Sequence, residues 1–213
     1  MVVAVVPLKN LKSAKSRLSD ILAERERQEL VLAMLNDVLV TLKESQLVEE
    51  IFIVADKHFN PVSNVQMITE TENRGYDEAI IEALRDSRVN EAQSMLILPA
   101  DLPLVTKDEL NIFIGDPEDK SIRIAGARDQ DGTNALLMMP PSLLATSFGV
   151  GSFERHKRVA SGLSAKIKEI NLPGLAFDMD TEKDLIDFVK TKSDTNTYRF
   201  LNEGGIVKRL IKL

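Results

Sequence analysis

The chain contains no cysteine among its 213 residues. That excludes disulfides, thiolate nucleophiles and cysteine-ligated metals, and it suits a reducing, cytoplasmic setting. Histidine is nearly absent too. His58 and His156 are too few for a histidine-built metal site. Any bound metal is therefore expected to be a hard ion held by carboxylate and phosphate oxygens. No apolar run approaches the ~20 residues needed to span a bilayer, and the N-terminal run stops at Pro7, too short for a secretion signal. A basic excess is also missing. The formal net charge is -6, so neither a nucleic-acid partner nor a membrane is expected. The motifs GxSxG, GxxxxGK[ST] and HExxH do not occur, which leaves hydrolase-triad, P-loop and zinc-protease readings without support.

What is present is an ordinary globular composition, 44% hydrophobic and 28% charged, enough to bury a sizeable core in one large domain or two small ones. Short β-branched runs alternate with amphipathic helical patterns. Val2 to Val6 and Ile51 to Ala55 read as buried strands, and Glu24 to Ser45 between them reads as a helix with Leu30, Met34, Leu35, Val38 and Leu42 on one face. Further strands are expected over Val65 to Thr69, Met95 to Leu98, Ser121 to Ala127, Ala135 to Met139 and Ala165 to Ile170. Helices are expected over Tyr76 to Arg85, Thr106 to Ile114, Phe153 to Ala160 and Glu182 to Lys190. TKDE at Thr106 has the form of a capping box. The alternation predicts a Rossmann-like α/β fold, with a mostly parallel central sheet flanked by helices and an antiparallel element between Ser121 and Met139. The tail from Thr191 to Leu213 is polar until Gly205 and then amphipathic. Its apolar residues predict docking, on its own domain or on a partner subunit, with a homodimer favoured.

Against the acidic background one stretch stands out, Pro7 to Asp20. Lys9, Lys12, Lys15 and Arg17 follow the first strand directly, where open α/β sheets bind ligands. Four cations there suit a polyphosphate or, more blandly, a solvated helix face. Asp101, beyond the strand at Met95, sits between prolines and suits Mg²⁺ or a turn cap. Asp178 and Asp180 share a face if their segment is extended, and Asp180 is either a second metal contact or a helix cap. Phe148 to His156 is a glycine-serine loop opening a helix. It suits an anion, or else Ser152 merely caps. Thr133 and Asn134, and Gly75 to Asp77, lie on turns that are weak signals alone.

PLK followed by AKSRL, then LPADLP, then FGVGSFERH, in that order across nearly the whole chain, resembles the 2-phospho-L-lactate guanylyltransferase family of deazaflavin-coenzyme biosynthesis. More broadly it resembles nucleotide-diphospho-sugar transferase-like nucleotidyltransferases. The resemblance implies one nucleotidyltransferase domain over residues 1–190; residues 191–213 are expected, from their apolar content, as a tail in a dimer contact. It implies attack by the phosphate of 2-phospho-L-lactate on the α-phosphorus of GTP, releasing pyrophosphate, with Mg²⁺ neutralising charge. Similar bacterial enzymes use phosphoenolpyruvate.

On this resemblance Lys9, Arg17 and Asp101 are catalytic. Pro7, Leu8, Lys9, Ser13, Lys15, Ser16, Arg17, Gly75 and Asp77 bind the nucleotide. Thr133, Asn134, Gly149, Ser152, Arg155 and His156 serve the acceptor, and Asp101 and Asp180 the metal. Gly75-Tyr76-Asp77 departs from the glycine, apolar, asparagine turn of the relatives, though Asp77 is still able to accept from guanine. The alternatives are CTP with a sugar phosphate, or a nucleotide-binding dimerisation module without activity.

Overall fold

The computed structural model describes residues 1–8, 10–59, 64–70 and 75–210. Seven strands form one sheet: β1 Val2–Pro7, β2 Glu50–Asp56, β3 Gln66–Glu70, β4 Ser94–Ile97, β5 Ser121–Gly126, β6 Thr133–Met139 and β7 Lys166–Glu169. Their order is β3-β2-β1-β4-β6-β5-β7. β1 pairs in parallel with β2 and β4, and β2 with β3. β6 runs antiparallel to both neighbours, and β7 pairs in parallel with β5. The mostly parallel α/β sheet and its antiparallel element are therefore as expected, and the reversal belongs to β6 alone.

β1 is buried at every position. Ala4 and Val6 pack into the core on one face of the sheet, and Val3 and Val5 into the core on the other. A strand covered on both faces reads as an unbroken apolar run, which is why β1 and β2 were legible. The helix α1 Glu24–Glu44 lies on the first face and buries Leu30, Met34, Val38 and Leu42. Each such side chain contributes about 2 kcal/mol. On the second face lie α2 Tyr76–Ala83, α3 Ser87–Asn90 and α5 Ser152–Gly162. α4 Lys107–Ile114 carries the expected capping box: Thr106 Oγ1 accepts from Glu109 N at 3.2 Å, and Glu109 Oε2 accepts from Thr106 N at 3.1 Å. The short α6 Pro173–Ala176 precedes α7 Glu182–Thr191, whose N-cap is Thr181.

The tail contains a helix that hydrophobic patterning did not reveal, α8 Asn196–Glu203, followed by α9 Ile206–Leu210. Thr195 caps α8 locally at Tyr198 N, and a distant carboxylate supplies the rest. Asp37 of α1, nearly buried, accepts from Asn196 N at 2.7 Å and Thr197 N at 2.9 Å. It also accepts from the Asn196 amide and the Thr197 hydroxyl. An acceptor supplied by another helix satisfies the orphan N–H groups at the start of α8 and matches its dipole. Leu201, Ile206, Val207 and Leu210 then join the core beside α1. The docking observed is thus onto the tail's own domain. Among the described residues no helix is long and apolar enough to cross a membrane.

Candidate functional site

Two cavities open along the edge of the sheet where β1 and β4 end. The larger is about 1000 Å³ and the smaller about 300 Å³. The reversal of β6 matters here. Ile97 of β4 pairs with Leu136, so the first residues of β6 lie beyond the carboxyl end of β4. Thr133 and Asn134 thereby reach the edge from which Asp101 also projects.

The smaller cavity is lined by Pro7, Leu8, Ser13, Lys15, Ser16 and Arg17, together with Asp101 and Asp180. The basic stretch forms short turns, Leu11–Ser13 and Ser16–Leu18, hinged at Lys15 with φ of +50°. Leu18 anchors it in the core. The turn sends the Lys15 side chain inward, with 8% exposure, while Lys12 stays on the surface and faces a separate cavity. Lys15 Nζ lies 2.6 Å from Asp101 Oδ2 and 2.6 Å from Asp180 Oδ1. Burial works against the ammonium, but the two carboxylates outweigh it and raise its pKa above the ordinary lysine value. Lys9 falls outside the described residues.

The larger cavity is lined by Gly75, Asp77, Thr133, Asn134, Gly149 and Asp178, and it shares Arg17, Tyr76, Pro99, Asp101 and Asp180 with the smaller. Cations and carboxylates therefore meet where the two chambers join. Asn134 Nδ2 donates to Asp178 Oδ1 at 3.1 Å and to Leu175 O at 3.0 Å. Burial raises the Asp178 carboxyl above the usual range. The Asn134 bond opposes this, and the charges of Asp101 and Asp180 add to it. The irregular FDMD segment brings both Asp178 and Asp180 to the site, while Thr181 takes the capping role. Arg128, unmarked in the sequence, also lines this chamber, stacked 4.3 Å over the Phe177 ring and paired with Asp184. Nothing in its local pattern distinguishes it from a surface arginine.

The glycine-serine loop forms the far wall. Gly149 has φ of +104° and Gly151 φ of +70°, a left-handed region that favours glycine. Asp77 does not face the cavity freely. Its two carboxylate oxygens accept from Phe148 N at 3.0 and 3.2 Å. Gly151 N donates to Asp131 Oδ1 at 3.0 Å and Ser147 N to His156 Nε2 at 2.9 Å. Gly149 and Val150 line the cavity, and their N–H groups have no partner among the described residues. Ser152 is the first residue of α5 rather than its cap, and its Oγ accepts from Thr133 N at 2.9 Å. Ser152, Arg155 and His156 do not line the cavity but stand behind its wall, where Arg155 binds the Ser147 and Val150 carbonyls. Burial pushes the His156 imidazole down to about 4; Arg155 acts the same way and Asp77 opposes it.

A hard cation fits this site only as a shared one. Among the described residues no group of three or more acidic or histidine side chains could hold a metal unaided. Asp101 and Asp180 do converge on one positive charge, that of Lys15. Two carboxylates are what Mg²⁺ takes alongside phosphate oxygens, so the donor set suits it.

Residues 2–209 match the family described as guanylyl transferase CofC like. The chain belongs to this family. It is 35% identical over 190 residues to a phosphoenolpyruvate guanylyltransferase of Sphaerobacter thermophilus, covering 86% of this chain and 90% of that one. It is 28% identical over 203 residues to a 2-phospho-L-lactate guanylyltransferase of Methanobrevibacter smithii, covering 93% and 88%. A Desulfovibrio desulfuricans crystal structure described as of the nucleotide-diphospho-sugar transferase type superposes with a TM-score of 0.76 over 98% of this chain and 96% of that one, at 14% identity. The expected fold family is therefore the observed one.

Proposed function

We propose that this member of the family transfers guanylate from GTP to a 2-phosphorylated three-carbon acid, either 2-phospho-L-lactate or phosphoenolpyruvate. The observation that carries this reading is Lys15 clasped by Asp101 and Asp180 where the two chambers join. Such a junction suits two phosphates that must meet.

In this reading the smaller chamber takes the triphosphate. Lys15 and Arg17 offset its charge, with Lys9 added from the same stretch, and Ser13 and Ser16 offer hydroxyls. The larger chamber takes the acid. The Gly149 and Val150 N–H groups and the Thr133 hydroxyl offer donors to its anionic groups. A phosphate oxygen of the acid attacks the α-phosphorus of GTP. A new P–O–P linkage forms, the bond from α-phosphorus to the bridging oxygen breaks, and the electron pair leaves with pyrophosphate. A divalent cation held by Asp101, Asp180 and phosphate oxygens would supply charge neutralisation at that point. The protein's own part is to hold the two phosphates in line and keep their charges paired.

Pyrophosphate release with GTP, Mg²⁺ and each acid tests the proposal. Turnover is expected with GTP and at least one of the two. No turnover with either, or faster turnover with CTP and a sugar phosphate, would defeat it. Competition between the two acids for limiting GTP decides which is preferred.

A further inference from the structure

We infer that His156 is a positioning residue that fixes the Thr133 hydroxyl as a hydrogen-bond donor into the larger chamber. The inference deepens the reading of that chamber as the acceptor site and rests on it.

His156 is fully buried on α5, one turn beyond Ser152. Its Nε2 lies 2.9 Å from Ser147 N. A backbone N–H only donates, so Nε2 must present its lone pair. In a neutral ring the proton then sits on Nδ1, which is 3.0 Å from Thr133 Oγ1. Nδ1–H therefore donates to the threonine oxygen. A second donor reaches the same oxygen. Ser152 Oγ accepts from Thr133 N and donates to Thr133 Oγ1 at 3.1 Å. With two donors arriving, the acceptor capacity of Thr133 Oγ1 is filled, and its own proton has no acceptor among the described residues. Thr133 borders the larger chamber. The proton is thus left for whatever occupies it.

A threonine hydroxyl normally rotates to suit either a donor or an acceptor. Here a histidine in one tautomer removes that choice. The consequence is selectivity for an anionic oxygen, carboxylate or phosphate, over any group that must donate at that point. The same ring pins Ser147, the start of the loop carrying Gly149 and Val150, so one side chain sets both sides of the wall.

Two measurements test this. The ¹⁵N chemical shifts of the His156 ring at neutral pH are expected to show a protonated Nδ1 and a bare Nε2; the opposite tautomer would overturn the inference without any variant. The second is a double-mutant cycle on acceptor KM. Thr133→Val and His156→Met are each expected to raise it about tenfold, with the KM for GTP little changed. The pair together should raise it by well under the product of the two single effects, because much of the histidine's effect passes through the hydroxyl and only the remainder through the loop it pins at Ser147. His156→Gln, which is able to keep both bonds, should recover most of the loss. Additive effects, an equal rise in the KM for GTP, or no recovery with glutamine would overturn it. Should the wild type turn over neither acid, the cycle is read by calorimetry with phosphoenolpyruvate alone, so that failure of the proposed reaction and failure of this inference stay distinct.

Discussion

Lys15 Nζ donates to Asp101 Oδ2 at 2.6 Å, across 86 positions of sequence. Asp180 completes the clasp from the other side at the same distance. Removing the cation leaves two carboxylates facing each other, with Asp178 close enough to feel both. Lys15→Met is expected to abolish pyrophosphate release and to cost about 2 kcal/mol of stability, less than for a fully buried pair because Asp180 is partly exposed. The freed carboxylates should bind Mn²⁺ more tightly than in the wild type. Calorimetric titration with Mn²⁺ checks this, and unchanged affinity would contradict the electrostatic account.

Arg17 is exposed and borders both chambers, and its side chain plays no part in the core. Arg17→Ala should therefore reduce turnover at least a hundredfold while leaving stability within about 0.5 kcal/mol. Near-normal pyrophosphate release by this variant would remove Arg17 from the phosphate site.

His156 makes the folded protein sensitive to acid. Its pKa is about 4 when folded, against 6.5 for an ordinary histidine, so between those values the unfolded chain binds the extra proton. Stability therefore falls as pH drops through this window and levels off below it, by on the order of 3 kcal/mol in total. The difference between wild-type and His156→Gln denaturation curves isolates this contribution from the carboxylates that titrate nearby. A constant difference from pH 7 to pH 4 would refute it.

The Tyr76 hydroxyl is buried and has no partner among the described residues. Burial, with the charges of Asp101 and Asp77, raises the phenol pKa well above its usual value. Tyr76→Phe removes the orphaned group and keeps the ring that packs 4.6 Å from Phe148. It is expected to raise the stability of the free protein by about 1 kcal/mol. A lower melting temperature would mean that the hydroxyl is satisfied after all.

Asp37 carries the docking of the tail. Asp37→Ala strips the Asn196 and Thr197 N–H groups of their acceptor, leaving only the Thr195 cap on Tyr198 N, and should cost about 3 kcal/mol. Hydrogen exchange should then speed up in α8 and α9 before it does in β1.

Much of this architecture is legible in one dimension. β1, β2 and β4 are apolar on both faces and end at turn-forming residues, so their direction and burial follow from composition. The box at Thr106 was readable because capping is local. α8 was not, because its first two N–H groups are satisfied by Asp37, far away in sequence, and Thr195 alone caps it locally. Asp77 and His156 could be placed near the site but not given their tasks. Each was a candidate ligand contact in the sequence, and each turns out to hold the loop from Ser147 to Gly151.

The sequence by itself determined which chemistry is available: cations on one stretch, an aspartate at a strand end, a glycine-serine loop, and no thiol. Only the tertiary structure decided who meets whom. Period and propensity act over a few residues, whereas the site is assembled by the sheet. The parallel strands carry Lys15 and Asp101 to one edge, and the reversal of β6 brings Thr133 and Asn134 to the same edge. The pairing of a buried ammonium with two carboxylates then follows from the cost of leaving any of those charges alone.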